Sequence, residues 1–280
     1  AREHTRRTLI VKALGAYHGV DAWCDPGLGG RINSDRSDIL EFEWNNLNQL
    51  EDMFKQKKDD IAGVILTPYH HAAFAPSTMP SADFWAHVRR ICTENGTLLI
   101  LDDVRAGWRL HEGGSHRFFN FTPDMSVFSK ALGNGYAISA CVGIEAVKGA
   151  ASEVFLTGSC WNDAVAMRAA LTSITMCEEK NVPQSVMKKG QFFCERLEEL
   201  AKKFNYSLKM TGPPSMPYPW FEGDENLFLI QKFCQLASKQ GLYFHPHHNW
   251  FISDAHDQKS LERALELTGR AFEELDSSLV

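Results

Sequence analysis

Short apolar runs alternate with longer amphipathic stretches through the first two-thirds of the chain. Thr8–Ala13 reads as a strand, closed by Gly15 and Gly19. Residues 21–38 are rich in Gly, Asp and Ser and read as a long loop. Leu47–Lys58 has the period of a helix with a charged face. Ala62–Leu66 is a short buried strand that stops at Thr67-Pro68. Ser81 caps a predicted helix running to Glu94, with Asp83 in its first turn, and Asn95-Gly96 ends it. Thr97–Leu101, Met125–Phe128 and Ser139–Ile144 read as further strands. Strands alternating with helices predict a mostly parallel sheet covered on both faces.

Asn162–Glu179 reads as a long helix rich in Ala and Met, and Pro183 starts another that runs to Lys203. After Phe204 the texture changes. Tyr206–Thr211 reads as a strand, Gly212–Pro219 as a proline-rich turn and Glu225–Gln240 as a helix. Leu242–His245 and Trp250–Ser253 read as short strands, and Ser260–Leu275 as a final amphipathic helix. The expectation is a large α/β domain over residues 1–190 and a small α+β domain over 191–280.

Composition narrows the function. The 280 residues are 44% hydrophobic and 23% charged, ordinary for a globular protein. A formal net charge of −6 gives no basic footprint for nucleic acid. No apolar run has the length of a membrane span, and no signal-type segment follows Ala1–Arg7. The seven cysteines are scattered and without C-x-x-C pairs, so they read as reduced thiols of a cytoplasmic protein. Cys160 stands out, because it lies beside a candidate site residue.

Two apolar runs stop at charged residues 28 positions apart, at Asp102 and at Lys130. In an open α/β sheet, ligands bind just beyond the carboxyl ends of the strands. An acid and a lysine on neighbouring strands can face one small molecule there. A cofactor with a protonated ring nitrogen and an aldehyde needs such a pair.

The surrounding residues resemble a family. Ala13-Leu-Gly-Ala-Tyr17-His18-Gly19 looks like an aromatic-His-Gly turn. Leu101-Asp102-Asp-Val104-Arg-Ala-Gly107-Trp-Arg109 looks like an Asp-Glu-Val segment, and Ser129-Lys130-Ala-Leu-Gly133-Asn-Gly135 like a lysine–glycine segment. Thr157-Gly158-Ser159, then Ala166-Met167, resemble a Gly-Thr segment and the helix after it. Gly241–Pro246 and Phe251–His256 resemble a small-domain ending. In this order and spacing they resemble the class III aminotransferases, and within them the glutamate-1-semialdehyde aminomutase-like branch.

The resemblance implies a fold-type I pyridoxal-phosphate enzyme, a homodimer with a shared active site. It implies transamination or amino transfer within one molecule, on an amino acid or amino ketone. Lys130 would form the Schiff base with the cofactor aldehyde and carry the proton. Asp102 would hold the pyridine nitrogen protonated. Val104 would pack on one ring face and Tyr17 on the other, with His18 beside it. Ser159, at the family's Thr position, would reach the phosphate of the partner subunit. Thr67-Pro68 stands where the family has Glu-Pro, and Asn134 where it usually has Gly.

The family's Ser-Gly-Thr-Glu-Ala-like phosphate segment has no counterpart in this sequence, which opens at Ala1-Arg2-Glu3-His4-Thr5. Three expectations follow: a phosphate cup supplied by a longer chain, one supplied by a second polypeptide, or loss of the cofactor. Two alternatives stay open: a non-catalytic or partner-dependent subunit, and a lyase, racemase or decarboxylase using the same Lys130 and Asp102. The histidines at 70, 71, 245, 247, 248 and 256 lack a recognised metal-ligand spacing, so no metal is expected.

Overall fold

The computed structural model describes residues 1–27, 29–30, 32–72 and 74–277. Two positions of the expected loop at 21–38 (residues 28 and 31) lie outside the described residues. The chain forms two compact units, residues 1–70 with 80–180, and residues 71–79 with 181–280.

The strands of the first unit are β1 (Leu9–Ala13), β2 (Ile39–Phe42), β3 (Ile61–Leu66), β4 (Leu98–Asp102), β5 (Met125–Phe128) and β6 (Ala140–Gly143). They form one sheet in the order β2-β1-β3-β4-β5-β6, parallel except for β6. Its helices are α1 (Arg2–Thr5), α2 (Leu47–Lys57), α3 (Phe84–Glu94), α4 (Ser115–Phe118), α5 (Lys148–Glu153) and α6 (Ala164–Glu179). The second unit holds α7 (Val182–Lys203), α8 (Phe228–Lys239), α9 (Gln258–Ser277) and the antiparallel pair β7 (Leu208–Thr211) and β8 (Tyr218–Phe221).

Parallel strands are buried on both faces, so they read as continuous apolar runs. All six residues of β3 are buried, and Leu99 and Leu101 of β4 are inaccessible. The core includes Phe84, Trp85 and Val88 of α3 and Leu50 and Phe54 of α2. Trp85 stacks on Phe121 with ring centroids 4.0 Å apart, a contact that contributes about 0.5–1.5 kcal/mol beyond area burial. The second unit has its own core of Phe221, Phe233, Leu197 and Phe272.

Several elements differ from expectation. β2 falls just after the expected loop, where half-buried residues and Glu41 mask the strand. β8 forms within and beyond the expected proline-rich turn. Pro219 is tolerated because β8 pairs only with β7. The expected strands at 242–245 and 250–253 are irregular. There, single bonds from Trp250 N–H to Pro217 O and from Ile252 N–H to Ser215 O replace a ladder. The expected division at 190 falls inside α7, which runs unbroken through the second unit. Residues 71–79 join that unit as well, with Ser77 N–H donating to Thr211 Oγ1.

Candidate active site

The carboxyl ends of β1, β3, β4 and β5 carry the site. The turn after β1 opens at Gly15 (φ +74°) and closes at Gly19 (φ +138°), left-handed values that glycine adopts without a Cβ penalty. Between them, Tyr17 stays 44% exposed. The His18 side chain is buried, and its Nδ1 lies 2.7 Å from Asp102 Oδ2. Asp102 is therefore an acceptor and His18 a donor through Nδ1–H.

Asp102 is the last residue of β4 and is buried. Its Oδ1 also accepts from Val104 N–H at 3.2 Å. Each carboxylate oxygen offers two acceptor sites, so both keep capacity for a further donor. Val104 itself is half-buried. The next residue, Asp103, points into a different set of contacts. It accepts from Ser115 N–H at 2.7 Å and from Ser115 Oγ at 2.5 Å. Burial pushes its carboxyl up to about 6, against the pull of those two bonds. The chain between them turns tightly at Gly107, where a Cβ would sit 2.7 Å from Asp103 O and 3.0 Å from Phe128 Cδ1.

Lys130 follows β5, one strand over from Asp102, whose register partner on β5 is Val127. Lys130 has φ +48°, a left-handed value rare for a residue with a side chain. Such strain is held where surrounding structure over-determines it. Here Ser129 Oγ donates to Ile138 O, and Asn134 N–H donates to Lys130 O. The side chain is exposed over much of its surface. Burial of the remainder, then the Arg105 guanidinium, lowers its pKa below the usual lysine value; Asp102 opposes and Arg109 adds to the effect.

Two arginines that act on this lysine, Arg105 and Arg109, and the tyrosine bonded to Arg105 carried no role in the sequence. Tyr69, just past β3, is fully buried, and burial pushes its hydroxyl up to about 12. It hydrogen-bonds Arg105, whose own pKa burial lowers. Arg109 donates from Nη1 to Arg105 O at 2.8 Å. The signal was present in the quoted segment: two arginines four apart, directly after an acid that ends a strand. His70 stacks on Trp44 with centroids 5.6 Å apart, and burial, then His18, lowers its pKa.

Asp102, His18, Val104 and Lys130 are thus gathered around adjoining strand ends. Ser159 is not part of that cluster. It lies in an exposed coil with Phe155 and Trp161, and Cys160 beside it is exposed too. Among the described residues, no group of three or more His, Cys, Asp or Glu is placed to hold a metal ion. No helix among them is long and apolar enough to cross a membrane.

The arrangement suits a ring that presents a protonated nitrogen at one end and an aldehyde at the other. A buried carboxylate with acceptor capacity to spare faces the first need, and an amine with a lowered pKa the second.

Comparison with known proteins places the chain beside enzymes of one family. The family model for aminotransferase class-III matches residues 32–264. An aminopentol aminotransferase of Sphingopyxis macrogoltabida is 36% identical over 97% of this chain and 64% of its own length. A glutamate-1-semialdehyde 2,1-aminomutase of Lachnoclostridium phytofermentans is 28% identical over 95% of this chain and 68% of its own. Among solved structures, the FumI protein of Sphingopyxis sp. MTA144, in its pyridoxal-phosphate internal aldimine form, superimposes with a TM-score of 0.97. It is 35% identical, over 99% of this chain and 67% of that one. The chain therefore spans about two-thirds of the length of the proteins it matches.

Proposed function

This chain belongs to the class-III aminotransferase family, and on that premise we propose that it transfers amino groups with pyridoxal phosphate held between Asp102 and Lys130. The observation that carries the proposal is the buried Asp102 carboxylate, steadied by His18 at 2.7 Å, one strand from Lys130. When bound, the cofactor supplies an aldehyde for imine exchange and a ring that takes up the electron pair left at a substrate carbon.

The protein's own residues supply the rest. Lys130 is the amine that meets the aldehyde. Its lowered pKa raises the fraction of neutral amine, the form that attacks and that accepts a proton. Freed when substrate amine takes its place, Lys130 would carry the proton from the substrate carbon to the carbon that was the cofactor aldehyde. Asp102 holds the proton on the ring nitrogen, and His18 keeps Asp102 oriented. Val104 would pack against one face of the ring, and Tyr17 would cover the other. The substrate is a small amine, an amino acid or amino ketone.

A second copy supplies the Ser159 side of the site. The coil that carries Ser159 exposes Val154, Phe155, Leu156 and Trp161, and the outer face of α6 adds Val165 and Leu171. Burial of this strip against a second copy would bring Ser159 to the phosphate of that copy's site. A cytoplasmic location belongs to the same reading and fits cysteines that form no disulfide among the described residues.

The test is borohydride reduction of the purified protein after addition of pyridoxal phosphate, followed by peptide mapping. The expected result is a visible absorption band that disappears on reduction, with the adduct on Lys130. Absence of both band and adduct, or an adduct confined to other lysines, would overturn the proposal.

A further inference from the structure

Lys12 is a charged residue in the middle of a buried strand. Its residue is inaccessible, and Val11 and Ala13 on either side are buried with it. Placing an ion there costs desolvation that Leu or Met of similar volume would avoid. The ammonium has two partners. One is Glu41 Oε1 at 3.4 Å, on the register partner of Lys12 in β2. The other is the carbonyl oxygen of Ala16 at 3.0 Å.

The first partner does not account for the second. β2 is the edge strand, and the Glu41 side chain is 29% exposed, so water solvates only part of that carboxylate. Ala16 is different. Its carbonyl precedes Tyr17 and His18 in the turn after β1. The turn's other backbone ties are Leu14 N–H to Phe42 O at 2.8 Å, at its start, Ala16 N–H to Ala13 O at 3.1 Å and His18 N–H to Cys24 O at 2.9 Å. The turn must hold the His18 ring 2.7 Å from Asp102, on a strand separated from β1 by β3.

We propose that Lys12 is a positioning residue: through the Ala16 carbonyl it fixes the turn that presents Tyr17 and His18, and so the imidazole that orients Asp102. The importance of Asp102 rests on the proposed function. The contact itself does not, and it can be read in the chain without cofactor.

The experiment is nitrogen-15 NMR of the histidine rings, with thermal melting, in the wild type, Lys12→Met and the double variant Lys12→Met/Glu41→Gln. In the wild type, the Asp102 bond fixes one His18 tautomer, with widely split Nδ1 and Nε2 shifts. Lys12→Met strands the Glu41 carboxylate beside an apolar side chain and lowers the melting temperature. The double variant removes both charges and recovers it. In both, the His18 splitting collapses toward the averaged shifts of a mobile imidazole. A double variant that melts like the wild type and keeps the wild-type His18 splitting would overturn the inference, leaving Lys130 trapping untouched. Conversely, failure of Lys130 trapping leaves the His18 reading as it is. The wild type gives a second reading that needs no variant. An ammonium bound to Ala16 O exchanges its protons slowly and gives a shifted signal of its own. A Lys12 signal indistinguishable from solvated lysines would overturn the inference equally.

Discussion

The turn that follows Asp102 and the coil around Ser159 belong to the same compact unit and are built in opposite ways. In the first, Asp102 meets His18 and Val104, and Asp103 meets Ser115 twice. All of these partners lie within this chain. In the second, apolar side chains face outward, with Phe155 91% exposed and Trp161 55% exposed. Burying one such aromatic side chain is worth roughly 1.5–3 kcal/mol. Large apolar side chains exposed together along one short segment are what an interaction site presents. The difference teaches that one half of the proposed site is held by partners within this chain and the other half is left open. On the proposed reading a second copy closes the open half.

The sharpest way to break the comparison lies in the internally held half. Lys130→Ala should abolish the borohydride-fixed adduct altogether. Asp102→Ala should leave cofactor binding measurable and lower turnover by at least about 10²-fold, the scale of a lost acid–base partner. Wild-type turnover in either variant would mean that the strand-end cluster is not the site.

The open half is tested by Phe155→Ser with Trp161→Ser. Sedimentation should show the assembly reduced to single chains. The stability of the isolated chain should change by no more than about 0.5 kcal/mol, as expected for surface positions. Leu101→Ala, in the core behind Asp102, should by contrast cost about 2–5 kcal/mol.

A smaller effect separates the two carboxylates of the internally held half. The folded-state pKa of Asp103 lies near 6, above its unfolded value of 3.8. The fold therefore binds that proton more tightly than the unfolded chain does. The resulting stability is complete below the unfolded value and is lost as pH rises through the folded one, a change of up to about 3 kcal/mol. Denaturant melts at acid and neutral pH should show this decline in the wild type relative to Asp103→Asn, where the carboxyl is gone. Equal pH dependence in both proteins would remove Asp103 from the account.

The smallest effect concerns Arg105. Its charge disfavours the Lys130 ammonium, so Arg105→Gln should raise the Lys130 titration toward the usual lysine value. Competitive acetylation of Lys130 across pH, read by mass spectrometry, checks the direction. An unchanged or lowered titration would contradict the geometry.

Much of this was legible because buried parallel strands are plain apolar runs, and a charged residue ending one marks the functional edge of the sheet. Asp102 and Lys130 stood out for that reason. Tyr69, Arg105 and Arg109 did not, because the effect of the arginines on Lys130 and the Tyr69–Arg105 bond depend on how β3, β4 and β5 align. Lys12 was visible as a lone charge in an apolar run, but its bond to Ala16 requires the turn to fold back over the strand end. Pro219 hid β8, since a missing N–H reads as a turn until the strand is known to pair on one side. Leu242–His245 misled in the other direction: apolar content alone does not supply a ladder partner.

The division of the site is tested most directly by mixing two defective chains, Lys130→Ala and Ser159→Ala, and measuring pyridoxal-phosphate affinity at Lys130. Each alone should be impaired, the first without an adduct and the second with weakened binding. A hybrid of the two contains one site that draws Lys130 from one chain and Ser159 from the other. The account predicts that the mixture regains wild-type affinity at one site in each hybrid pair. A mixture that behaves as the sum of its separate components would contradict it.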